Sequence, residues 1–162
     1  MKKLVFALMA ILSVGALSSC SLFGPDDKEF SGSGITITLN STFAETDSVL
    51  APLFVTSLKH IFTGLRESKT EAVSVGINSL DDYIDFVLAN AGYSGYTTYE
   101  SENGDYMYAY YSATVEEVDY GYMLICMEGE NHYYLMNFGC YSDDLDDSKE
   151  QYIEWADTII VE

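Results

Sequence analysis

The chain has 162 residues, with 7 Lys plus Arg, 26 Asp plus Glu and 3 Cys, and a formal charge of −19. That length supports one domain, and 48% hydrophobic with 14% aromatic residues indicates a packed domain, not a disordered acidic chain. The charge excludes phosphate backbones and anionic head groups as targets of a basic face, and three cysteines are too few for a dense disulfide framework.

Lys2 and Lys3 precede an apolar run at residues 4–17. At about 14 residues it is too short to span a bilayer, which takes about 20. A basic start before a short apolar stretch is the pattern of an export signal. The run ends in Leu17-Ser18-Ser19-Cys20. This resembles the bacterial lipobox: an aliphatic residue, two small residues and a cysteine. The resemblance implies a diacylglyceryl group on the Cys20 thiol and cleavage just before it, so that residues 1–19 are a lipoprotein signal peptide. An ordinary secretory signal with an incidental cysteine is the alternative. Two or more acyl chains, each buried methylene contributing about 0.8 kcal/mol, hold a protein on a membrane durably. The implied location is extracytoplasmic, lipid-anchored on the cell membrane or the outer membrane. Ser21 follows the cysteine. In a two-membrane envelope an Asp there commonly signals retention in the inner membrane, so Ser21 resembles an outer-membrane signal.

Residues 21–34, SLFGPDDKEFSGSG, are rich in Gly, Ser and charge. By composition they form a flexible tether with a reach of roughly 20 Å. Residues 20–34 are thus expected to be lipidated cysteine and tether, and residues 35–162 a single domain. Ile35-Thr36-Ile37-Thr38-Leu39 alternates and predicts a strand. Residues 49–65 are ambiguous. Leu50, Phe54, Leu58, Ile61 and Leu65 follow a helical spacing, yet Leu53-Phe54-Val55-Thr56 suits a strand. The reading favoured is a strand through Ser57, then a loop or short helix. Residues 66–75 give no signal. Residues 79–91 predict a helix: Ser79 can cap, Asp82 can complete a capping box, and Gly92 ends it. Four strands follow at residues 96–100, 106–115, 120–128 and 132–141, with Asn103-Gly104 the strongest hairpin signal. The last two are apolar at both parities, so their sheet is expected to be covered on both faces. Residues 148–161 predict a helix with Tyr152, Trp155, Ala156 and Ile159 on one stripe, capped by Asp146 or Asp147.

Strand, helix, four-strand meander and terminal aromatic helix together are similar to the PsbP-like α/β/α sandwich, the superfamily of an extrinsic photosystem II protein. They are also similar to small bacterial lipoproteins of the same layout. The residues carrying this are Asn78-Ser79-Leu80-Asp81-Asp82-Tyr83, the ending Ala89-Asn90-Ala91-Gly92, the Tyr-rich hairpins and Tyr152-Ile153-Glu154-Trp155-Ala156. The resemblance covers residues 35–161 and departs from the pattern over residues 44–76. It implies an α+β fold, an antiparallel meander sheet covered by helices on both faces. It further implies an accessory or assembly role and not catalysis. It brings no functional residue with it.

Chemistry-bearing motifs are few. His60 and His132 stand alone, and the chain has no HExxH and no Cys-x-x-Cys, so a zinc site cannot be assembled. Gly92-Tyr93-Ser94-Gly95-Tyr96 lacks the last glycine of a nucleophile elbow and reads as a turn. Asp143, Asp144, Asp146 and Asp147 form the densest acidic run; they suit a solvated helix cap, with calcium as the alternative. A β-turn centred near residue 130 would set Cys126 opposite residue 134 and Cys140 opposite residue 120, roughly 20 Å apart along the strands. That is too far for a disulfide. The 14 Tyr are the remaining signal. Tyr106, Tyr108, Tyr110 and Tyr111 lie on one strand, either as a Tyr-rich core or as a surface for a protein or glycan partner. The reading is a non-catalytic envelope lipoprotein without a cofactor, acting through contacts with an unidentified protein. A small-ligand or calcium-binding module is the alternative, and an envelope hydrolase is less favoured.

Overall fold

The computed structural model of the protein describes residues 26–48, 51–93 and 95–162. Its first strand, β1 (Asp27–Gly32), pairs antiparallel with β2 (Ile35–Asn40). Ser33 and Gly34 between them have φ of 56° and 74°, which sets a tight hairpin in the hand that strand twist prefers. This corrects the tether, which was expected to run to residue 34. Ser, Gly and charge made the segment look like a linker, but Phe30 is 1% exposed and locks β1 into the core. Along β2, Ile35, Ile37 and Leu39 are buried while the intervening Thr36 and Thr38 are half-buried, as alternation predicts.

Strands β3 (Ala44–Glu45), β4 (Leu53–Thr56) and β5 (Ile61–Ser68) follow, each antiparallel to the next. The expected strand through Ser57 corresponds to β4. The loop or short helix expected after it is a correction: the segment is β5. Leu58, part of the misleading helical spacing, sits 78% exposed at the hairpin tip. There the Ser57 N–H donates to His60 O at 2.8 Å. A short helix, α1 (Lys69–Ser74), occupies the stretch that gave no signal.

Helix α2 (Leu80–Asn90) starts as the sequence predicts. The Asp82 N–H donates to Ser79 Oγ at 3.1 Å. The Asp82 carboxylate accepts from Asn78 N–H at 3.0 Å, one residue earlier than in a capping box. At the far end Gly92 takes φ 85°, and the Tyr93 N–H donates to Leu88 O. The meander is β6 (Thr98–Glu100), β7 (Tyr106–Val115), β8 (Val118–Glu128) and β9 (His132–Tyr141). A 3-10 turn at Ser142–Asp144 leads into α3 (Leu145–Ala156), and β10 (Ile160–Val161) closes the chain. The final helix therefore begins three residues before the expected start and stops at Ala156. Its side-chain cap was expected from Asp146 or Asp147, which instead lie in the first turn, and Asp144 is the capping position. Thr158 ends the helix: its hydroxyl donates to Trp155 O at 2.7 Å and accepts from the Thr38 N–H at 3.0 Å, turning the chain onto β2.

Seven strands form one sheet in the order β3-β4-β5-β9-β8-β7-β6, and β1-β2-β10 form a second. The central strands are buried on both faces; every residue of β8 from Tyr120 to Met127 is buried. On one face Met123, Ile125, Tyr134, Met136 and Phe138 pack with Ile35, Ile37 and Leu39 of β2 and with Tyr152 and Trp155 of α3. On the other, Tyr122, Leu124 and Cys126 pack with Tyr83, Ile84 and Leu88 of α2 and Ala72 of α1. The first of these corrects the expected all-helical cover, because the small sheet shares that face with α3. Gly64 makes room for it: a Cβ there would come within 2.7 Å of Ile35 Cδ1.

The β8–β9 register places Cys126 opposite Leu135 and Cys140 opposite Gly121. Each is one residue off the expected pairing. A one-residue shift changes faces, so Cys126 lies in the α2-side core and Cys140 in the α3-side core. Both thiols are free and buried.

Candidate interaction surface

The pleat of β7 divides its four tyrosines. Tyr106, Tyr108 and Tyr110 point to the α3 side, while Tyr111 points to the α2 side. The expectation of one surface made of all four is corrected accordingly. Tyr111 is buried at 9% exposure. It stacks on Tyr122 at 4.9 Å and its hydroxyl donates to Asn137 Oδ1 at 3.0 Å. Tyr106 is also core, 2% exposed, and its hydroxyl donates to Asp157 Oδ1 at 2.8 Å.

Tyr108 and Tyr110 are only half-buried, and Tyr99 of β6, directly opposite Tyr108, is 46% exposed. These strands are last in the sheet order, and the cover from α3 and β2 thins out there. Tyr99 stacks on Tyr108 with centroids 5.3 Å apart and planes at 25°. Tyr110 meets Tyr108 at 5.7 Å and 80°, and Tyr99 at 6.5 Å and 57°. Lys149, reaching from α3, puts its ammonium 4.9 Å from the Tyr110 ring centroid and also pairs with Asp146 at 2.6 Å. Burial first, then Tyr108 and Tyr99, pushes the Tyr110 hydroxyl up to about 12. Burial, then Tyr99, also raises Tyr108. Tyr108 and Tyr110 are therefore neutral phenols at physiological pH, with electron-rich faces.

Tyr99 was expected only as a neighbour of the four β7 tyrosines, not as part of the surface. Its signal was available: it is a Tyr in a strand joined to β7 through Asn103-Gly104, so the hairpin register brings it beside Tyr108.

A second tyrosine run lies on the α2 side. Ring contacts link Tyr141, Tyr120, Tyr122, Tyr111, Tyr93 and Tyr96 in series. Its middle is core, and only Tyr141 and Tyr96, at 46% and 43%, are exposed. Tyr122 is 1% exposed and its hydroxyl has no hydrogen-bond partner among the described residues.

The other sequence candidates do not converge. His60 Nδ1 lies 3.0 Å from Tyr152 Oη, and the His60 ring packs edge-on against Tyr152 and Trp155. Burial and then Lys59 lower its pKa, with Asp144 opposing; it is a neutral bridge between the β4–β5 hairpin and α3. His132 packs on Tyr134 at a hairpin end. Asp143 and Asp144 lie in the 3-10 turn, and Asp146 and Asp147 in the first turn of α3, where Lys149 takes up Asp146. Among the described residues no three His, Cys, Asp or Glu side chains are grouped to hold a metal. Leu17, Ser18, Ser19 and Cys20 lie outside the described residues, as does Ser94. Among the described residues no helix is long and apolar enough to cross a membrane.

The sequence matches no family model and no curated protein. Its fold matches solved structures. A Bacteroides thetaiotaomicron protein superposes at a TM-score of 0.55 with 11% identity, over 86% of this chain and 49% of that one. The present chain therefore spans about half the length of that protein. LpqN of Mycobacterium tuberculosis, described as involved in cell envelope biogenesis, superposes at 0.52 with 8% identity, over 84% and 90% of the two chains. PA94 of Pseudomonas aeruginosa, of unknown function, does so at 0.51 with 10% identity, over 84% and 97%. Cyanobacterial PsbP from Synechocystis aligns over 91% of this chain at 13% identity, but at 0.43 the likeness is too loose to carry an argument. At these identities the shared property is the fold alone, in this chain a mostly antiparallel sheet with three helices.

Proposed function

We propose that the protein is a lipid-anchored, extracytoplasmic lipoprotein of a bacterial envelope, held through Cys20. Its PsbP-like domain is a non-catalytic accessory module that docks a protein partner on Tyr99, Tyr108 and Tyr110. The observation that supports the docking surface is the division within β7. Tyr106 and Tyr111 have internal hydroxyl partners and are buried, whereas Tyr108 and Tyr110 are half-uncovered beside exposed Tyr99. Tyrosine offers a large ring with a polar tip at low entropy cost, which is why it is enriched at protein interfaces. Sharing an architecture with LpqN is compatible with an envelope role. The anchor rests on the Leu17-Ser18-Ser19-Cys20 motif.

The test is photo-cross-linking in intact host cells, with a benzophenone amino acid at position 99 and, as control, at position 73 on the α1 side. A dominant adduct from position 99, absent from position 73 and lost in Cys20→Ala, supports the reading. Identical adduct patterns from both positions would remove the tyrosine surface from it.

A further inference from the structure

Resting on that docking surface, we infer that the Tyr99–Tyr108–Tyr110 cluster is a cation-accepting site. Its partner is a protein segment that presents Lys or Arg side chains, and Lys149 holds the place of the incoming cation in the unbound protein.

Three observations carry this. The rings cluster within 6.5 Å of one another with planes inclined at 25°, 57° and 80°, so faces and edges of several rings border the same exposed spot. A cation within about 6 Å of a ring face is attracted by the ring quadrupole. Secondly, one cation is already there: the Lys149 ammonium is 4.9 Å from the Tyr110 centroid. The site therefore accepts this chemistry in its own fold. Thirdly, the charge field is one-sided, with 26 acids against 7 Lys plus Arg in the chain. It draws basic partners in from a distance and speeds their encounter.

Lys149 is poorly held. Its carboxylate partner Asp146 is 87% exposed in the side chain, and the pair is three residues apart on the helix surface. Exposed pairs of this kind contribute little. A guanidinium from a partner can take the Tyr110 face and the Asp146 carboxylate together, because Arg stacks on rings and forks onto carboxylates. A protein segment is favoured over a membrane surface because the acidic domain is repelled by anionic lipid.

The experiment measures fluorescence anisotropy of fluorescein-labelled octa-arginine binding to the full chain in dodecyl maltoside micelles at fixed ionic strength. Tyr99→Leu and Tyr108→Leu remove a ring and keep an apolar side chain; each should weaken binding about two- to fivefold. Tyr99→Phe and Tyr108→Phe keep the ring and should bind like the parent. Lys149→Gln vacates the Tyr110 face and should tighten binding by about the same factor. Lys59→Gln removes an equal charge on the β4–β5 tip and should tighten it less.

Equal effects of Lys149→Gln and Lys59→Gln, or Leu variants that bind like the parent, would overturn the inference. If the Leu variants fail to fold, the two Lys variants alone still decide. An adduct from position 99 in cells, combined with octa-arginine binding blind to every variant, would leave the docking surface standing and remove the cation site. Binding to phosphatidylcholine vesicles that is lost in Tyr99→Leu, with octa-arginine indifferent, would transfer the site to a quaternary ammonium head group and overturn the protein partner.

Discussion

Tyr122→Phe should stabilise the domain, and Tyr111→Phe should destabilise it, although the two rings stack 4.9 Å apart with planes at 15°. The Tyr122 ring is 1% exposed and its hydroxyl makes no hydrogen bond among the described residues. Burying such a group unpaired costs about 1–3 kcal/mol. Removing the oxygen relieves that cost and forfeits a few atomic contacts of about 0.1–0.2 kcal/mol each. The ring keeps its stack and its seat over Gly139, where a Cβ would approach within 2.8 Å of Tyr122 Cε1. The net gain is about 1 kcal/mol, which raises Tm by about 4 °C for a domain of this size. Tyr111→Phe instead strips Asn137 Oδ1 of its donor at a position 5% exposed, a loss of about 1–3 kcal/mol.

The assay is thermal and urea unfolding of both variants at pH 7 and again at higher pH. Burial, then Tyr120, Tyr93 and Cys140, pushes the Tyr122 hydroxyl up to about 12, above the ordinary value near 10. The unfolded chain therefore loses this proton first as pH rises. The stability tied to it is intact below about pH 10 and lost between 10 and 12. Tyr122→Phe removes that loss, so its advantage over the parent should widen across this window. Destabilisation of Tyr122→Phe by as much as Tyr111→Phe would show that the hydroxyl is bonded, and the reasoning would fail.

Three further outcomes follow from the geometry. Gly139→Ala should cost about 1–3 kcal/mol in urea unfolding, since its methyl would press on Tyr122 and on Ile61 Cγ1 at 3.0 Å. Replacing Glu116-Glu117, which hold φ of 49° and 68°, by Asn-Gly should raise stability by about 1–2 kcal/mol; no gain would mean that the glutamates are not strained. Cys126 and Cys140, buried on opposite faces, should resist alkylation in the native protein. Both should take label on unfolding without reductant, as read by mass.

Helix α2 was legible because its determinants are local. Ser79, Asp82, the apolar stripe and Gly92 all act within a few residues of their targets. The meander was legible for a similar reason, since Asn103-Gly104 and the doubly apolar runs of β8 and β9 announce hairpins in a buried sheet. Strand β5 was not, because its partner β9 lies some seventy positions away in sequence, from Ile61 opposite Gly139 to Ser68 opposite His132. A spacing compatible with a helix was then decided by long-range pairing. Strands β1 and β10 failed for the same reason: what makes Asp27–Gly32 a strand is Ile35–Asn40 beside it and a core above Phe30. On the candidate surface, sequence put Tyr106, Tyr108, Tyr110 and Tyr111 on one strand without dividing them between its two faces. It could not say which of the four β7 tyrosines had internal hydroxyl partners, because Asp157 and Asn137 come from distant segments.

Among the described residues that partner test marks five tyrosines as structural. Tyr83 donates to Glu67, Tyr106 to Asp157, Tyr111 to Asn137 and Tyr134 to the Glu162 carbonyl, while Tyr152 shares a hydrogen bond with His60. In each case the ring fills core and the hydroxyl is satisfied within the fold, so changing it alters stability before anything else. Tyr120, Tyr122 and Tyr133 are buried rings without such a partner among the described residues, and only the Tyr122 hydroxyl is itself fully buried there. Tyr99, Tyr108 and Tyr110 differ from both groups. Among the described residues their hydroxyls have no partner within the fold, and their rings contact one another and a lysine tied to a highly exposed aspartate. A hydroxyl open to water can exchange it for a partner's groups at little cost. Substitutions at these three positions should therefore leave the melting temperature within a few degrees of the parent while changing what the protein captures. Large stability losses at Tyr99 or Tyr108 would place them with the core tyrosines and end the case for a docking face there.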